Sequence, residues 1–285
     1  MTFEAEYYES SAFWSNGMIE DAANIRRLEG TFALVPADTR KLIDVGCGNG
    51  VFARLVKQHC PDMHVTCVDR SAAALDHVQA DDKQRCEIVD LPFGDRVFDC
   101  VTCLEVLEHL MVPDFRKALA ELTRIARSTV IIGVPFNEAI DKNVDTCPQC
   151  RTVFNRDLHL RGFDDVKFSS LLGDFGFRLE ERSIPVVNTH YLGFRTYYRL
   201  QRMLKGVPDQ SHRFLSPICP LCGYIPSTPG SENLAPEQTR ASAVIASTTT
   251  RNGVMLRLVK RYWPKQTTPG YWIVGRFVRS QGLAT

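Results

Sequence analysis

Short apolar runs rich in valine and isoleucine alternate with amphipathic stretches between residues 41 and 135. The apolar runs predict β-strands, which we place at 41–46, 64–69, 86–90, 97–104 and 128–135. The stretches between them have helical spacing, at 51–59, 71–80 and 114–126. The runs do not alternate cleanly between apolar and polar positions, as expected for strands that are buried on both faces. The pattern therefore predicts an α/β architecture, a parallel sheet with helices on both faces.

The rest of the pattern divides the chain into a core and additional segments. Residues 1–40 mix aromatic and charged residues and predict a helical segment before the first strand. The core is expected to span 41–187 and to close with a helix at 163–177, which ends at Gly176, and a strand at 178–187.

Two insertions are expected, at 136–160 and at 188–269. The second contains a candidate amphipathic helix at 191–205 and a loop rich in Ser, Thr and Pro. The final core strand and the tail are expected at 270–285, where the sequence YWIVGRFV has strand character.

A glycine-rich loop follows the first predicted strand. The segment LIDVGCGNG contains Gly46, Gly48 and Gly50 and leads into a helix that starts near Val51. Glycine is needed where the backbone turns tightly and approaches a ligand closely. The spacing is G-x-G-x-G and not the G-x-G-x-x-G of dinucleotide sites, because position 51 is valine. This difference argues against a dehydrogenase.

Acidic residues stand near the ends of the predicted strands at the same sheet edge. Asp44 lies just before the glycine loop, where its carboxylate is expected to organise loop amides and to face a cationic ligand. Asp69 ends the second strand, and an acid at that place typically accepts hydrogen bonds from ribose hydroxyls. Asp90 and Leu91 end the third predicted strand at this edge.

Together, these motifs resemble those of the class I S-adenosylmethionine-dependent methyltransferases, mainly over residues 41–135. The resemblance implies a Rossmann-like, seven-stranded and mostly parallel sheet, with S-adenosylmethionine as the cofactor. It implies that the glycine loop holds the methionine part, that Asp69 binds ribose and that Asp90 and Leu91 flank the adenine. The implied cofactor-binding residues are Asp44, Gly46, Cys47, Gly48, Gly50, Asp69, Arg70, Asp90, Leu91 and Leu104.

Candidate catalytic residues follow the fourth predicted strand. Glu105, Glu108 and His109 share one face if the segment forms a helical turn. This E-x-x-E-H pattern resembles that of small-RNA 2′-O-methyltransferases and of the O-methyltransferases of ubiquinone synthesis. In those relatives the two glutamates, this histidine and a later histidine hold a divalent metal beside the acceptor hydroxyl. The later histidine here is His159.

The resemblance leaves two roles open for these side chains. Glu105, Glu108, His109 and His159 are candidate ligands of a divalent cation, although a site with two imidazoles favours a softer ion than Mg²⁺. Alternatively, His109 or His159 contacts the acceptor or acts as a base, with Glu105 beside it. A histidine that is bonded to the backbone beside the cofactor pocket would explain the same residues without catalysis.

Two Cys-Pro-x-Cys motifs lie in the two insertions. Cys147 and Cys150 form the first pair, and Cys219 and Cys222 form the second. Two such pairs complete a tetrahedral sulfur site of the kind that binds structural zinc. The 68 residues between the pairs exceed the spacing of a compact zinc ribbon. We predict that zinc staples the two insertions together over the acceptor pocket, and a redox pair is the alternative.

Composition excludes several other classes of protein. The 285 residues are 44% hydrophobic and 24% charged, an ordinary globular balance. The acidic start MTFEAEYYES does not match a signal peptide, and the chain with its ten cysteines is too long for a small secreted disulfide scaffold, so we expect a cytoplasmic protein. The formal charge of +1 argues against a polyanion-binding surface over the whole molecule.

Charge is nevertheless unevenly distributed along the chain. Residues 251–285 contain seven basic residues and no acidic one. This composition is compatible with an anionic membrane surface or a phosphorylated substrate, and equally with a solvated helix packed on the sheet. We recognise no nucleic-acid-binding module, and DNA is not expected as a partner.

The sequence as a whole therefore predicts a methyltransferase whose acceptor is a hydroxyl of a small molecule, or of a glycan or lipid-linked intermediate. RNA methylation is the alternative reaction, because of the cysteine pairs and the E-x-x-E-H pattern. A catalytically silent, zinc-binding scaffold that retains the fold is the alternative from another class of protein.

Overall fold

The computed structural model describes residues 8, 9, 14, 22–185, 187–191, 219, 221, 222, 224 and 265–280. The strands are β1 (Lys41–Val45), β2 (His64–Asp69), β3 (Asp82–Arg85), β4 (Phe98–Leu104), β5 (Ala126–Pro135), β6 (Val144–Thr146), β7 (Val153–Asn155), β8 (Phe177–Ser183), β9 (Val187–Tyr191), β10 (Lys265–Pro269) and β11 (Trp272–Arg279). The helices are α1 (Ala22–Phe32), α2 (Val51–His59), α3 (Ala72–Leu75), α4 (Val112–Ile125) and α5 (Asp165–Ser169). Single 3₁₀ turns lie at Leu107–His109 and Gly173–Phe175.

A seven-stranded sheet in the order β3-β2-β1-β4-β5-β11-β8 forms the centre of the molecule. Strands β1 to β5 run parallel to one another, and β11 pairs antiparallel with both β5 and β8. The predicted Rossmann-like, mostly parallel α/β sheet is therefore confirmed. The chain reverses its direction of winding between β1 and β4, and in such sheets ligands bind outside the carboxyl ends of the strands at that point.

The sheet is buried on both faces at its centre, which explains why its strands lack alternation. Four residues of β1, from Leu42 to Val45, are at most 2% exposed, and Val101 in β4 and Ile132 in β5 are fully buried. Two separate groups of apolar side chains cover the two faces of the sheet. This packing holds the carboxyl ends of β1, β2 and β4 in fixed relative positions.

The third strand differs from its prediction. We expected it at 86–90, but β3 comprises Asp82–Arg85, and all four of its residues are exposed. A strand at the sheet edge pairs on one side only, here with β2, so it needs no apolar run. The apolar residues Cys86 and Ile88 that suggested a strand pack against the core from a loop.

Other predicted elements are shorter or divided. Helix α3 ends four residues after its cap Ser71, whose Oγ accepts a hydrogen bond from the amide of Ala74. The predicted helix at 163–177 divides into α5 and a 3₁₀ turn, and Gly176, with φ of 76°, ends it as expected. The predicted strand at 178–187 ends at Ser183.

Two small antiparallel pairs lie outside the main sheet. Strand β6 pairs with β7 inside the 136–160 insertion, and β9 pairs with β10. Most of the second insertion, including all but the first residue of the candidate helix at 191–205, lies outside the described residues. Among the residues that are described, no helix combines the length and the apolar character needed to cross a membrane.

The last strand is packed so tightly that a single methyl group should disturb it. A Cβ atom at Gly275 in β11 would lie 2.6 Å from the ring of Phe168 and 2.8 Å from the side chain of Leu179. We expect Gly275→Ala to lower the free energy of unfolding by about 1–3 kcal/mol, because a close-packed core must shift to accept added volume. Chemical denaturation measures this change.

Gly173→Ala is the control for this variant, because a Cβ atom there meets nothing within 4 Å. It should leave the free energy of unfolding nearly unchanged. An equal effect of the two substitutions would contradict the packing described for β11.

Candidate functional site

The glycine loop adopts a conformation that favours glycine at three positions. Gly46, Gly48 and Gly50 have φ of 76°, 54° and 76°, in the left-handed region. A Cβ atom at Gly46 would lie 2.3 Å from Val106, and one at Gly48 would lie 2.8 Å from the ring of Trp14. The loop therefore has no room for a side chain at Gly46 or at Gly48.

Asp69 holds this loop in place. Its Oδ2 atom accepts a hydrogen bond of 2.9 Å from the amide of Gly48, and its Oδ1 atom accepts one of 2.9 Å from the amide of Ser71. Burial raises the pKa of Asp69 despite these bonds. The carboxylate at the end of β2 thus joins the loop after β1 to the start of α3.

Asp44 lies beneath the glycine loop, and its predicted role toward a cationic ligand stays a prediction. It does not organise the loop amides, because the bond to Gly48 comes from Asp69. Asp44 is 2% exposed and accepts a hydrogen bond of 2.7 Å from Thr102 in β4. Burial raises its pKa to about 6. Its side chain therefore joins two central strands beneath the loop.

A pocket lies beside the loop at the carboxyl ends of β1, β2 and β4. Four of the predicted cofactor residues line it, namely Gly46, Asp69, Arg70 and Leu91. The other predicted cofactor residues lie outside its described lining: Asp44, Cys47, Gly48, Gly50, Asp90 and Leu104. Asp90 is exposed, and Cys86, Glu87 and Ile88, which precede it in the chain, line the pocket. These three residues lie in a loop because β3 ends at Arg85, before the strand that we predicted at 86–90.

Two aromatic residues from the N-terminal segment complete the lining of the pocket. Sequence analysis did not single out Tyr8 and Trp14 for this role. The indole Nε1 of Trp14 donates to the carbonyl of Tyr8 at 2.6 Å, and the hydroxyl of Ser71 donates to the same carbonyl at 2.6 Å. The guanidinium of Arg70 lies 5.5 Å from the centre of the Tyr8 ring. These contacts join the N-terminal segment to the end of β2.

The E-x-x-E-H segment borders the same pocket through Glu105 and His109. Glu105 has φ of 56°, which is unusual for a residue with a side chain. Its Oε2 atom accepts a hydrogen bond of 2.7 Å from the indole of Trp272, the first residue of β11. Burial raises the pKa of Glu105. The last strand of the sheet therefore orients this carboxylate.

Glu108 is fully buried, in the 3₁₀ turn that follows β4. Neither of its carboxylate oxygens has a hydrogen-bond partner within the described part of the chain. Burial, followed by the nearby carboxylate of Glu105, raises the pKa of Glu108 well above its usual range. An unpaired carboxylate in this position requires either a proton or a cation.

The two predicted histidines are in contact. The rings of His109 and His159 lie 4.8 Å apart, edge to face. Burial, with a contribution from His159, lowers the pKa of His109 to about 3, so this imidazole is neutral near pH 7. The Nδ1 atom of His159 lies 2.5 Å from a carboxylate oxygen of Glu138, a residue that the sequence motifs did not point to.

The predicted ligands of a divalent cation are brought together in part. One ligand atom each from Glu108, His109 and His159 lies within 4.8 Å of the others. Glu105 does not belong to this group, and its Oε2 atom is directed to Trp272 instead. A carboxylate and two neutral imidazoles are a donor set suited to a transition metal.

The two cysteine pairs meet, although they lie far apart in the sequence. One Sγ–Sγ distance of 3.6 Å joins Cys147 to Cys222, and another of 3.6 Å joins Cys150 to Cys219. All four sulfur atoms lie within 4.8 Å of one another. Zinc–sulfur bonds of about 2.3 Å place tetrahedral thiolates about 3.8 Å apart, so the spacing fits a zinc ion.

The backbone of the first cysteine pair supports its thiols. The amide of Cys150 donates to the sulfur of Cys147 at 3.4 Å. Arg151 has φ of 64°, the left-handed conformation, at the position where the second motif has Gly223. Hydrogen bonding to Thr152 lowers the pKa of Cys150 to about 6, whereas desolvation and the neighbouring thiols raise the pKa of Cys222 to about 12.

Arg276 and Arg279 of the basic C-terminal segment both support the fold. Arg276 pairs with Glu180 at 3.1 Å and with Glu181 at 2.9 Å. Arg279 donates to the carbonyls of Thr123 and Ala126. These two cations join β11 to neighbouring elements.

Comparison with known proteins gives a consistent assignment of the core. The family model for the methyltransferase domain matches residues 43–132. The uncharacterized protein MJ0638 of Methanocaldococcus jannaschii is 36% identical over 88 residues, which are 30% of this chain and 36% of that protein. The ubiquinone biosynthesis O-methyltransferase of Hahella chejuensis is 31% identical over 97 residues, 31% of this chain and 39% of that protein. The chain thus spans little more than a third of the length of these curated relatives.

A solved structure extends the likeness to almost the whole chain. It is an S-adenosylmethionine-dependent methyltransferase of Thermotoga maritima, described as a possible histamine N-methyltransferase, with a TM-score of 0.52 and 17% identity over 98% of each chain. At this identity the likeness concerns the fold alone. The chain therefore has the fold of the class I S-adenosylmethionine-dependent methyltransferases, and its residues 43–132 match the model of the methyltransferase domain.

Proposed function

We propose that the protein transfers a methyl group from S-adenosylmethionine to a hydroxyl of a small molecule, or of a glycan or lipid-linked intermediate. The main support for the proposal is that one pocket borders both the glycine loop and the E-x-x-E-H segment. It is bordered by Gly46 and Asp69 on one side and by Glu105 and His109 on the other. The bound cofactor would supply an electrophilic methyl group on a cationic sulfonium.

The pocket has the features that this cofactor needs. The backbone of the loop at Gly46 allows close approach, because no side chain intervenes. Asp69 and Glu87 supply carboxylates, and Ile88 and Leu91 supply apolar walls suited to an aromatic base. In this arrangement Asp69 serves both the loop amide and the ribose hydroxyls, since a carboxylate can accept several hydrogen bonds.

On the acceptor side, the protein has to align a hydroxyl and assist the loss of its proton. Burial makes His109 a weak base, because its pKa is about 3. We infer that His109 orients the acceptor or donates its lone pair to a cation, and that His159 is the imidazole that takes the proton. Trp272 keeps the Glu105 carboxylate directed to the same pocket.

A divalent cation would fit this cluster. Glu108, His109 and His159 would hold it, and it would lower the pKa of the acceptor hydroxyl. The carboxylate oxygens of Glu108, which lack partners among the described residues, support this assignment. The two imidazoles favour a transition metal over Mg²⁺.

We also propose a structural zinc ion at Cys147, Cys150, Cys219 and Cys222. The proposal rests on the mutual distances of the four sulfur atoms. Zinc would join the β6–β7 hairpin of the first insertion to the second insertion. Because the hairpin leads to His159, the metal would stabilise one side of the acceptor site.

RNA is the alternative acceptor. The grouping of Glu108, His109 and His159 favours it, since the E-x-x-E-H pattern resembles that of small-RNA 2′-O-methyltransferases. RNA binding would weaken steeply with added salt, because phosphate contacts release counterions. Filter binding of a short RNA duplex in low and high salt would separate the two acceptor classes.

Cofactor binding can be measured directly. Calorimetry with S-adenosylhomocysteine should show binding to the wild-type protein. Gly46→Ala should weaken it at least tenfold, because its Cβ atom would lie 2.3 Å from Val106. Gly176→Ala is a matched control, since Gly176 also has φ of 76° but does not border the pocket. No binding to the wild-type protein would overturn the proposal and favour a silent scaffold.

The second prediction separates the acceptor side from the cofactor side. His109→Ala should reduce turnover about 100-fold, because the acceptor would lose its alignment with the methyl group or the cation would lose a ligand. Its affinity for S-adenosylhomocysteine should stay within about threefold of wild type if its contribution is made to the acceptor. Turnover is measured as S-adenosylhomocysteine release with the best hydroxyl acceptor from a screen of phenols, glycans and prenyl-linked alcohols.

His64→Ala serves as the control for this measurement, because His64 lies on β2 and pairs with the exposed Asp82 at the sheet edge. It should retain wild-type turnover. Unchanged turnover in His109→Ala would reduce His109 to a packing residue.

The third prediction concerns the thiol cluster. Elemental analysis should find one zinc ion per chain, and Cys147→Ser should remove it and lower the melting temperature by more than about 5 °C. Cys60→Ser should retain the metal, since Cys60 lies outside the cluster. Metal-free wild-type protein with an unchanged melting temperature would exclude a structural zinc ion.

A further inference from the structure

We propose that Glu138 is a positioning residue that sets the tautomer of His159 and leaves the Nε2 atom of this imidazole free to accept a proton or a metal ion. The inference rests on the proposed function, because it assumes that His159 serves the acceptor side. No motif in the sequence pointed to Glu138, which lies in the insertion at 136–160.

The geometry of the pair determines which nitrogen carries the proton. The Nδ1 atom of His159 lies 2.5 Å from the Oε2 atom of Glu138. An ionised carboxylate can only accept hydrogen bonds, so Nδ1 must be the protonated nitrogen. A neutral imidazole has one donor nitrogen and one acceptor nitrogen. The Nε2 atom of His159 therefore keeps its lone pair.

Both members of the Glu138–His159 pair are buried. The side chains of Glu138 and His159 are 4% and 7% exposed, so water does not compete effectively for either one. A charged group in such surroundings needs a partner, and the imidazole supplies it. The hydroxyl of Tyr271 lies 3.4 Å from the same Nδ1 atom and closes the other side.

The backbone on both sides of the pair is in an unusual conformation. Asn137, directly before Glu138, has φ of 53°, and Leu158, directly before His159, has φ of 61°. A left-handed conformation costs free energy for leucine and persists only where the surroundings impose it. Each of these turns lies directly before one member of the pair.

Two asparagines form hydrogen bonds that keep Glu138 and His159 next to each other. The Oε1 atom of Glu138 accepts from the side-chain amides of Asn143 and Asn155, at 3.4 Å and 3.5 Å. The Oδ1 atom of Asn155 accepts from the backbone amide of His159 at 3.1 Å. Because Asn155 ends β7, the β6–β7 hairpin, whose connection contains the first cysteine pair, also fixes the position of His159.

This arrangement suits His159 both as a base and as a metal ligand. A carboxylate on Nδ1 makes the other nitrogen a better base, and it also orients an imidazole that binds a metal. Loss of such a supporting group typically lowers activity or metal affinity by about 10–100-fold. We therefore expect the contribution of Glu138 to turnover to pass through His159.

The experiment uses the full-length protein with ¹⁵N-labelled histidine. Long-range ¹H–¹⁵N spectra, with the signals of His159 assigned from the His159→Ala variant, should show protonated Nδ1 in the wild-type protein. Glu138→Gln should shift these signals toward a mixture of tautomers, because the charged acceptor is lost. Glu138→Asp, which keeps the charge, should retain more of the wild-type signal and of the turnover than Glu138→Gln. Identical His159 signals in Glu138→Gln and wild type would overturn the proposal.

Kinetics supply a second readout. Turnover of Glu138→Gln should fall about 10–100-fold, while its affinity for S-adenosylhomocysteine stays within about twofold of wild type. The double variant Glu138→Gln with His159→Ala should be no slower than His159→Ala alone, since Glu138 acts through His159. A further loss in the double variant would contradict the proposal.

Asp82→Asn is the matched control, because Asp82 also pairs with a histidine, His64, at 2.7 Å but on the exposed sheet edge. It should leave turnover unchanged. The tautomer measurement needs no turnover, so a failure of Glu138 to set the tautomer is distinguishable from a failure of the methyltransferase assignment, which calorimetry tests.

Discussion

Buried acidic groups are concentrated at the carboxyl edge of the sheet, and their desolvation is the constraint to which the surrounding residues respond. An ionised carboxylate removed from water without a partner costs several kcal/mol or more. Asp44 is bonded to Thr102, Glu105 to Trp272 and Glu138 to His159. The buried cation Arg27 favours the ionised forms of Asp44, Glu105 and Glu108. Glu108 is the exception that has no hydrogen-bond partner among the described residues.

This distribution explains why the cofactor side and the acceptor side differ chemically. On the proposed cofactor side, Asp69 accepts hydrogen bonds from backbone amides, and its oxygens can also accept hydrogen bonds from hydroxyl groups. On the proposed acceptor side, Glu108 and His159 are buried, and the half-buried His109 lies close to both. Such a cluster is suited to a proton or a metal ion, and a methyl transfer to a hydroxyl can use either one.

The motifs of the core could be predicted because they depend on local backbone geometry. Gly46 and Gly50 have positive φ, and Gly176 ends a turn for the same reason. Parallel strands meet at one edge of the sheet, so Asp69, Leu91, Glu105 and His109 could be expected to line one pocket, as they do. The edge strand β3 could not be predicted, because an exposed strand with a single neighbour carries no apolar pattern.

The sequence by itself determined the sheet, the glycine loop and the two pairs of cysteines, because each depends on a short pattern of residue types. Only the tertiary structure decided which distant side chains meet. Trp272 reaches Glu105 because β11 inserts between β5 and β8, and Glu138 reaches His159 through two strained turns. These contacts join residues far apart in the chain and depend on the closure of the whole fold, which no local pattern of hydrophobic and polar residues encodes.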